Sequence, residues 1–177
     1  MSATWLSLAE AEQLVAERLG ASPRAAHSRF VGGLMRQLAG ELGADTRLWQ
    51  LAGLVHDLDY FAVDGDWSQH GVQTAEWLKD RLPDEALSAI AAHDHRTGLE
   101  SAMPIADCLR LADGLAVLDE DAGRDRTLAA LAGGSIADVV GRRTFLIEII
   151  AGNAAKHGVR LATLSNLLAG LPRQDQL

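Results

Sequence analysis

The chain is expected to fold as an all-α bundle, and three observations predict this. Alanine, leucine, glutamate and arginine are frequent while aromatic residues make up only 5%, a balance that favours helix over strand. Apolar residues recur at spacings of three and four between recognisable helix starts and stops. No stretch alternates with period two for long enough to form a sheet, and no repeat or low-complexity tract interrupts the pattern.

Each element can be justified in order. Ser7-Leu8-Ala9-Glu10 reads as a capping box opening a helix through about Leu19, with Leu8, Ala11, Val15 and Leu19 on one face and Gly20 as its stop. Ser22 caps a second helix with Pro23 at its first position. Its buried stripe, His27, Val31, Leu34, Leu38 and Leu42, includes a histidine. Asp45 caps a third helix that runs into His56-Asp57. Asp59 to Trp67 lacks a lasting period and reads as a loop. Ser68 is expected to cap a helix containing His70 and packing through Val72, Ala75, Trp77 and Leu78. After the break at Pro83-Asp84, Leu87, Ile90 and Ala91 lead to His93 at a helix end.

Arg96-Thr97-Gly98 is a turn, and Pro104 opens a helix with Ile105, Leu109, Ala112 and Ala116 inward and Asp113 on or beside that stripe. A polar segment through Arg126 and a stretch punctuated by Gly133-Gly134 follow. A helix then spans about Arg143 to His157, with Phe145, Ile149 and Ile150 apolar and Gly158 as its stop. A last short helix covers about Thr163 to Leu168. We expect residues 1–120 to form a metal-binding helical core and residues 121–177 to cover it, with Asp119–Arg126 a soft boundary.

At 177 residues the chain is long enough to bury a core, and 48% hydrophobic with 23% charged residues is ordinary for a globular protein. A net charge of −8 argues against binding nucleic-acid polymers, which need a basic stripe. A nucleotide substrate stays open, because a bound metal inverts the local potential. The single cysteine, Cys108, excludes an internal disulfide framework and reads as a small core residue. No apolar run reaches a membrane span, and the N-terminus lacks the basic start and apolar run of a secretory signal. A cytoplasmic location is expected.

Five predicted helices offer metal-competent side chains: His27, His56 with Asp57, His70, His93 and Asp113. Each falls on or beside an inward stripe or at a helix end. A buried carboxylate or imidazole costs several kcal/mol unless paired or metal-bound, so six in one core need a common cause. A borderline divalent metal, suited to mixed nitrogen and oxygen donors, supplies one.

This ordered set resembles the HD-domain metal-dependent phosphohydrolases, over roughly Arg24 to Asp119. The resemblance implies that His27, His56, Asp57 and Asp113 hold one ion, and that Asp57 bridges to a second held by His70 and His93. It further implies a bridging water as nucleophile on phosphorus and a small phosphate ester or anhydride, probable class nucleotide, as substrate. Iron, manganese, cobalt, nickel or zinc suits such ligands better than magnesium. The same ligands also serve a di-iron oxygenase branch acting on an organophosphonate or polyol, and a non-catalytic signalling module is a third reading.

Two departures from the family's pattern matter. Asp94-His95 stands where many two-metal members have a second histidine directly after the one matching His93. His95 can be a ligand, a proton donor to the leaving group, or a surface residue. Leu58-Asp59-Tyr60 replaces the Gly-Lys of some members, leaving Asp59 to orient a ligand imidazole or act as acid or base. Arg29, Arg96 and Arg110 are candidate phosphate contacts, with Lys156 and Arg142-Arg143 weaker; solvated or ion-paired surface residues are the alternative. Tyr60, Phe61 and Trp67 can stack on a base, lid the pocket, or pack their own loop. His157 before Gly158 reads as a favourable helix-end charge. The C-terminal helices either cover the core or form a homodimer surface.

Overall fold

The computed structural model describes residues 5–177. The reading of the first residues as lacking a secretory signal rests mainly on residues 1–4, which lie outside them. Among the described residues there is no strand, and no helix is long and apolar enough to cross a membrane. The helices are α1 (Leu8–Leu19), α2 (Pro23–Leu42), α3 (Thr46–Val55), α4 (Val72–Trp77), α5 (Asp84–Ala91), α6 (Pro104–Ala122), α7 (Arg124–Ala132), α8 (Phe145–Ile147), α9 (Asn153–Lys156) and α10 (Leu161–Ala169).

Two of the expected caps are formed, whereas Ser22 stands at the N-cap of α2 with its hydroxyl making no capping bond. Ser7 and Glu10 form the reciprocal capping box of α1, and Asp45 accepts from the backbone amides of Arg47 and Leu48 at the head of α3. Pro23 and Pro104 open α2 and α6, where a missing amide is harmless. Helix α6 is the central rod. Ile105, Leu109, Leu111, Leu115 and Leu118 on it are at most 1% exposed, each contributing about 1.5–3 kcal/mol of burial.

Helices α2 and α3 make the most extensive contact in the molecule, and glycines set their separation. A Cβ on Gly53 would lie 2.9 Å from the Gly32 Cα and the Val31 carbonyl oxygen. One on Gly32 would lie 3.2 Å from the Leu54 backbone nitrogen. This backbone-to-backbone crossing carries the stripe of α2, with His27, to the end of α3, with His56.

Four expectations need correction. Ser68 does not cap a helix. Asp66 caps a short 3₁₀ turn over Trp67–Gln69, His70 follows it, and α4 begins only after Gly71. Gly71 sits at φ +81, outside the helical region, so no helix continues back through His70; a Cβ there would meet the Ile90 carbonyl and the His93 ring, so only glycine fits. Of the residues expected to pack α4, Leu78 is buried, but Trp77 is exposed beneath the Arg18 guanidinium at 4.1 Å.

The stretch from Arg143 to His157 is not one α-helix: a π turn, Glu148–Gly152, separates α8 from α9. The segment after α6 is also helical rather than a polar linker. Arg124, the first residue of α7, is buried and pairs with Asp119 at 2.8 Å; it also donates to the carbonyls of Leu168 and Leu171. Charge there marks a buried clamp between α6 and the C-terminal helices. Cys108 is buried as expected, and burial pushes its thiol up to about 12.

Gly53→Ala is expected to force α2 and α3 apart and to destabilise the protein by roughly 1–3 kcal/mol. Urea unfolding checks this. An unchanged midpoint would mean that the crossing has slack.

Candidate metal centre

Local structure presents each ligand candidate. His27 lies in the second turn of α2, His56 is the C-terminal cap of α3, and Asp57 follows it. His70 precedes Gly71, His93 follows α5, and Asp113 sits midway along α6. All six converge. Among the described residues, two ligand triads have donor atoms within 4.8 Å of one another: His27, His56 and Asp113, and His56, Asp57 and His93.

Asp57 is at the middle, 1% exposed. Its Oδ1 lies 3.3 Å from His56 Nε2, 3.1 Å from His70 Nε2 and 3.6 Å from His93 Nε2. Its Oδ2 lies 3.8 Å from His27 Nε2. Asp113 Oδ1 is 2.9 Å from His27 Nε2 and 3.9 Å from His56 Nε2. Two donors each about 2.1 Å from a common ion stand roughly 3–3.5 Å apart, so these separations suit shared coordination.

The ring nitrogens support the same reading. His56 Nδ1 is 2.7 Å from the Gly53 carbonyl and His93 Nδ1 is 2.7 Å from the Ile90 carbonyl. A carbonyl only accepts, so both rings carry a proton on Nδ1 and point Nε2 inward. His56 Nε2 is buried with no hydrogen-bond partner, an orphan that a metal would satisfy. Asp59 serves His70 in the same way. Its Oδ1 is 2.8 Å from His70 Nδ1, and its Oδ2 accepts from the amides of Gly71 and Thr74 at 2.7 and 3.0 Å. Fully buried and so engaged, Asp59 orients an imidazole and has no free oxygen for acid or base work.

Charge is distributed unevenly. Burial pushes His56 down to about 4, against the pull of Asp57. Burial opposes protonation of His70 too, but its hydrogen bonds to Asp57 and Asp59 raise it to about 9. Burial alone would raise Asp57 and Asp113. The surrounding imidazoles instead hold Asp57 well below the usual carboxylate range and Asp113 at about 2.

Other candidates fall in different places. Arg29 is not at this site: its Nε donates to Glu12 at 2.9 Å and its guanidinium reaches the Leu177 carbonyl. Arg24, which sequence reasoning missed, takes the place beside the centre, with Nη1 3.0 Å from Asp57 Oδ2. Its guanidinium lies 4.1 Å over the Tyr60 ring, so that face of Tyr60 is covered rather than free for a base. Arg96 is forked onto Asp94 and stacked 4.3 Å over Trp67. Arg110 donates to the Ala92 carbonyl at 3.0 Å, steadying the residue before His93. His95 stands on the cleft rim with its side chain 80% exposed, 3.7 Å from Asp94 and unconnected to the ligand cluster. His157 does not merely face a helix end; its Nε2 is 2.9 Å from the buried Asp107.

Metal uptake near pH 7 is expected to release a proton from His70 and none from His56. Below about 9 an incoming ion must displace the His70 proton, so affinity at that position should rise with pH, by up to about tenfold per unit. Calorimetry in buffers of different ionisation heat counts the released protons. Asp59→Asn should reduce the count, and a pH-independent affinity would contradict this charge assignment.

The family model for the HD domain matches residues 24–121, more than half of the chain. No curated protein and no solved structure matches. The matched span begins at Arg24 and closes at the end of α6, enclosing every residue that converges on Asp57. The chain belongs to the HD-domain family, a superfamily of metal-dependent phosphohydrolases.

Proposed function

We propose that this protein hydrolyses a small phosphate ester or anhydride, a nucleotide being the favoured class. The observation that carries the reading is the Asp57 carboxylate, buried with one oxygen toward three imidazoles and the other toward His27 and Arg24. His27, His56, Asp57 and Asp113 would hold one divalent transition metal, and Asp57, His70 and His93 a second. A metal bound there supplies Lewis acidity toward phosphoryl oxygens and lowers the pKa of water toward neutrality.

The chain's own residues do the remaining work. The Gly53 and Ile90 carbonyls and Asp59 hold three imidazoles with their Nε2 atoms inward, so the donor atoms are arranged before any ion arrives. Arg24 keeps a cation at the edge of the centre, partly exposed, where charge develops on a transferring phosphoryl group. His95, exposed on the rim of the same cleft, would be the proton donor to a departing oxygen.

Phosphate release should appear with Mn²⁺, Co²⁺, Ni²⁺ or Fe²⁺ in a screen of small phosphate esters, with oxygen excluded. His56→Ala and Asp57→Ala should abolish it. Arg24→Ala should lower kcat by roughly 10²–10³-fold, the scale of a lost charge-stabilising donor. Turnover that requires oxygen, or activity that survives Asp57→Ala, would overturn the assignment.

A further inference from the structure

The metal centre opens into a cleft of about 1010 Å³ that His93 and Asp113 line on the inside, at the upper end of the usual size for small-molecule sites. One face of α6 runs along it. Asp107, Arg110, Asp113, Gly114 and Val117 all line the cleft, at spacings that keep them on neighbouring positions of a helix surface. The metal ligand Asp113 lies between two unlike regions.

Toward the start of α6 the cleft is polar. Asp107 is buried and binds Lys156 at 2.6 Å, His157 at 2.9 Å and Arg110 at 3.7 Å. Toward the end of α6 it is mostly apolar, lined by Val117, Phe145, Leu146 and Ile149, with Leu99 also on the lining and Arg143 beside them, its Nε 2.8 Å from Asp121. Phe145 is 52% exposed and Leu99 47% exposed. Large apolar side chains left open inside a concave site bearing metal ligands are surface held for a ligand.

The apolar wall is fitted to the metal-bearing helix. The π turn carries Ile149 onto Gly114, where a Cβ would stand 2.8 Å from Ile149 Cγ2. Gly114 directly follows Asp113, so a larger residue there would push the wall off the centre. Single π turns of this kind recur at functional sites. Phe145 and Ile149 also lie beyond the HD-domain match, which ends at residue 121, so this wall belongs to the chain's own C-terminal part.

We infer that this wall is a base-binding subsite and that Phe145 is the specificity-determining residue, which makes a nucleoside monophosphate the substrate class. The inference rests on the phosphohydrolase reading for the position of the phosphate at the centre. From Asp113 to Val117 α6 rises roughly 6 Å, the reach of a sugar that joins a phosphate to a base. The Tyr60 face that would otherwise take a base is occupied by Arg24, whereas Phe145 has open surface.

The test compares AMP with ribose 5-phosphate, which differ only by the base, on protein purified without chelator. Dissociation constants are read by calorimetry in the cold, before turnover accumulates. AMP should bind roughly five- to tenfold tighter, as an aromatic contact provides. Phe145→Ala should remove that preference while leaving ribose 5-phosphate binding and the thermal midpoint unchanged, and Phe145→Trp should keep it. Equal affinities in the wild type, a preference that survives Phe145→Ala, or no binding of either compound would overturn the subsite. If the preference holds but no phosphate ester is hydrolysed, the subsite stands and the hydrolytic reading falls.

Discussion

A carboxylate with almost no solvent contact is the constraint around which this molecule is arranged. Burying Asp57 without partners would cost several kcal/mol, and its neighbours show how that cost is met. Four imidazoles and one guanidinium face its two oxygens. The imidazoles are buried as well, so they cannot all carry protons: His56 is driven toward neutrality while His70 is driven toward its charged form. The cluster is a compromise among groups that share too few protons, and metal ions would resolve it by replacing protons with fixed charge. Replacing Asp57 would remove the anion that makes every neighbour tolerable.

Holding that compromise requires close backbone approach, and glycine makes it possible at two crossings. Gly53 lets α3 settle on α2, so His27 and His56 come within 5.6 Å, ring centre to ring centre. Gly71, with its positive φ, turns the chain between His70 and α4 tightly enough that the His70 and His93 ring centres are 4.8 Å apart. Main-chain carbonyls at helix ends then fix two tautomers. Backbone groups do this work cheaply, because the last carbonyls of a helix lack intrahelical partners in any case. His56 and His93 both sit at such ends.

Much of this was legible in the residue order. Caps and apolar spacing located α1, α2, α3 and α6, and the unusual burial of His27 followed from its place on the stripe of α2. What failed has physical reasons. Arg29 reads as a candidate from its nearness to His27 along the chain, yet two residues along a helix turn a side chain some 200° away, whereas three bring it back beside the first. Arg24, three before His27, was therefore the readable choice. A helix through His70 is expected from Ser68 as its cap, and the positive φ of Gly71 overrides that. The start of α7 reads as polar because Arg124 and Asp119 are charged, and only the fold shows that they are buried together. The π turn has no local signature, since it is the fit of Ile149 onto Gly114 that selects it.

The division of labour along α6 bears on how such a centre acquires selectivity. Ligand residues alone do not distinguish one phosphate compound from another, nor hydrolysis from oxygen chemistry, because the same imidazoles and carboxylates serve all of them. Discrimination has to come from groups that contact the rest of the substrate. Here those groups sit on the same rigid helix as Asp113 or on the segment pressed against it through Gly114. A substrate group seated on that wall would be held at a distance from the centre set by α6, which is buried along most of its length. On the proposed reading, binding energy gained at the wall would go into placement of the reacting phosphate, which would tie the C-terminal segment to the chemistry although it contributes none of the six clustered residues.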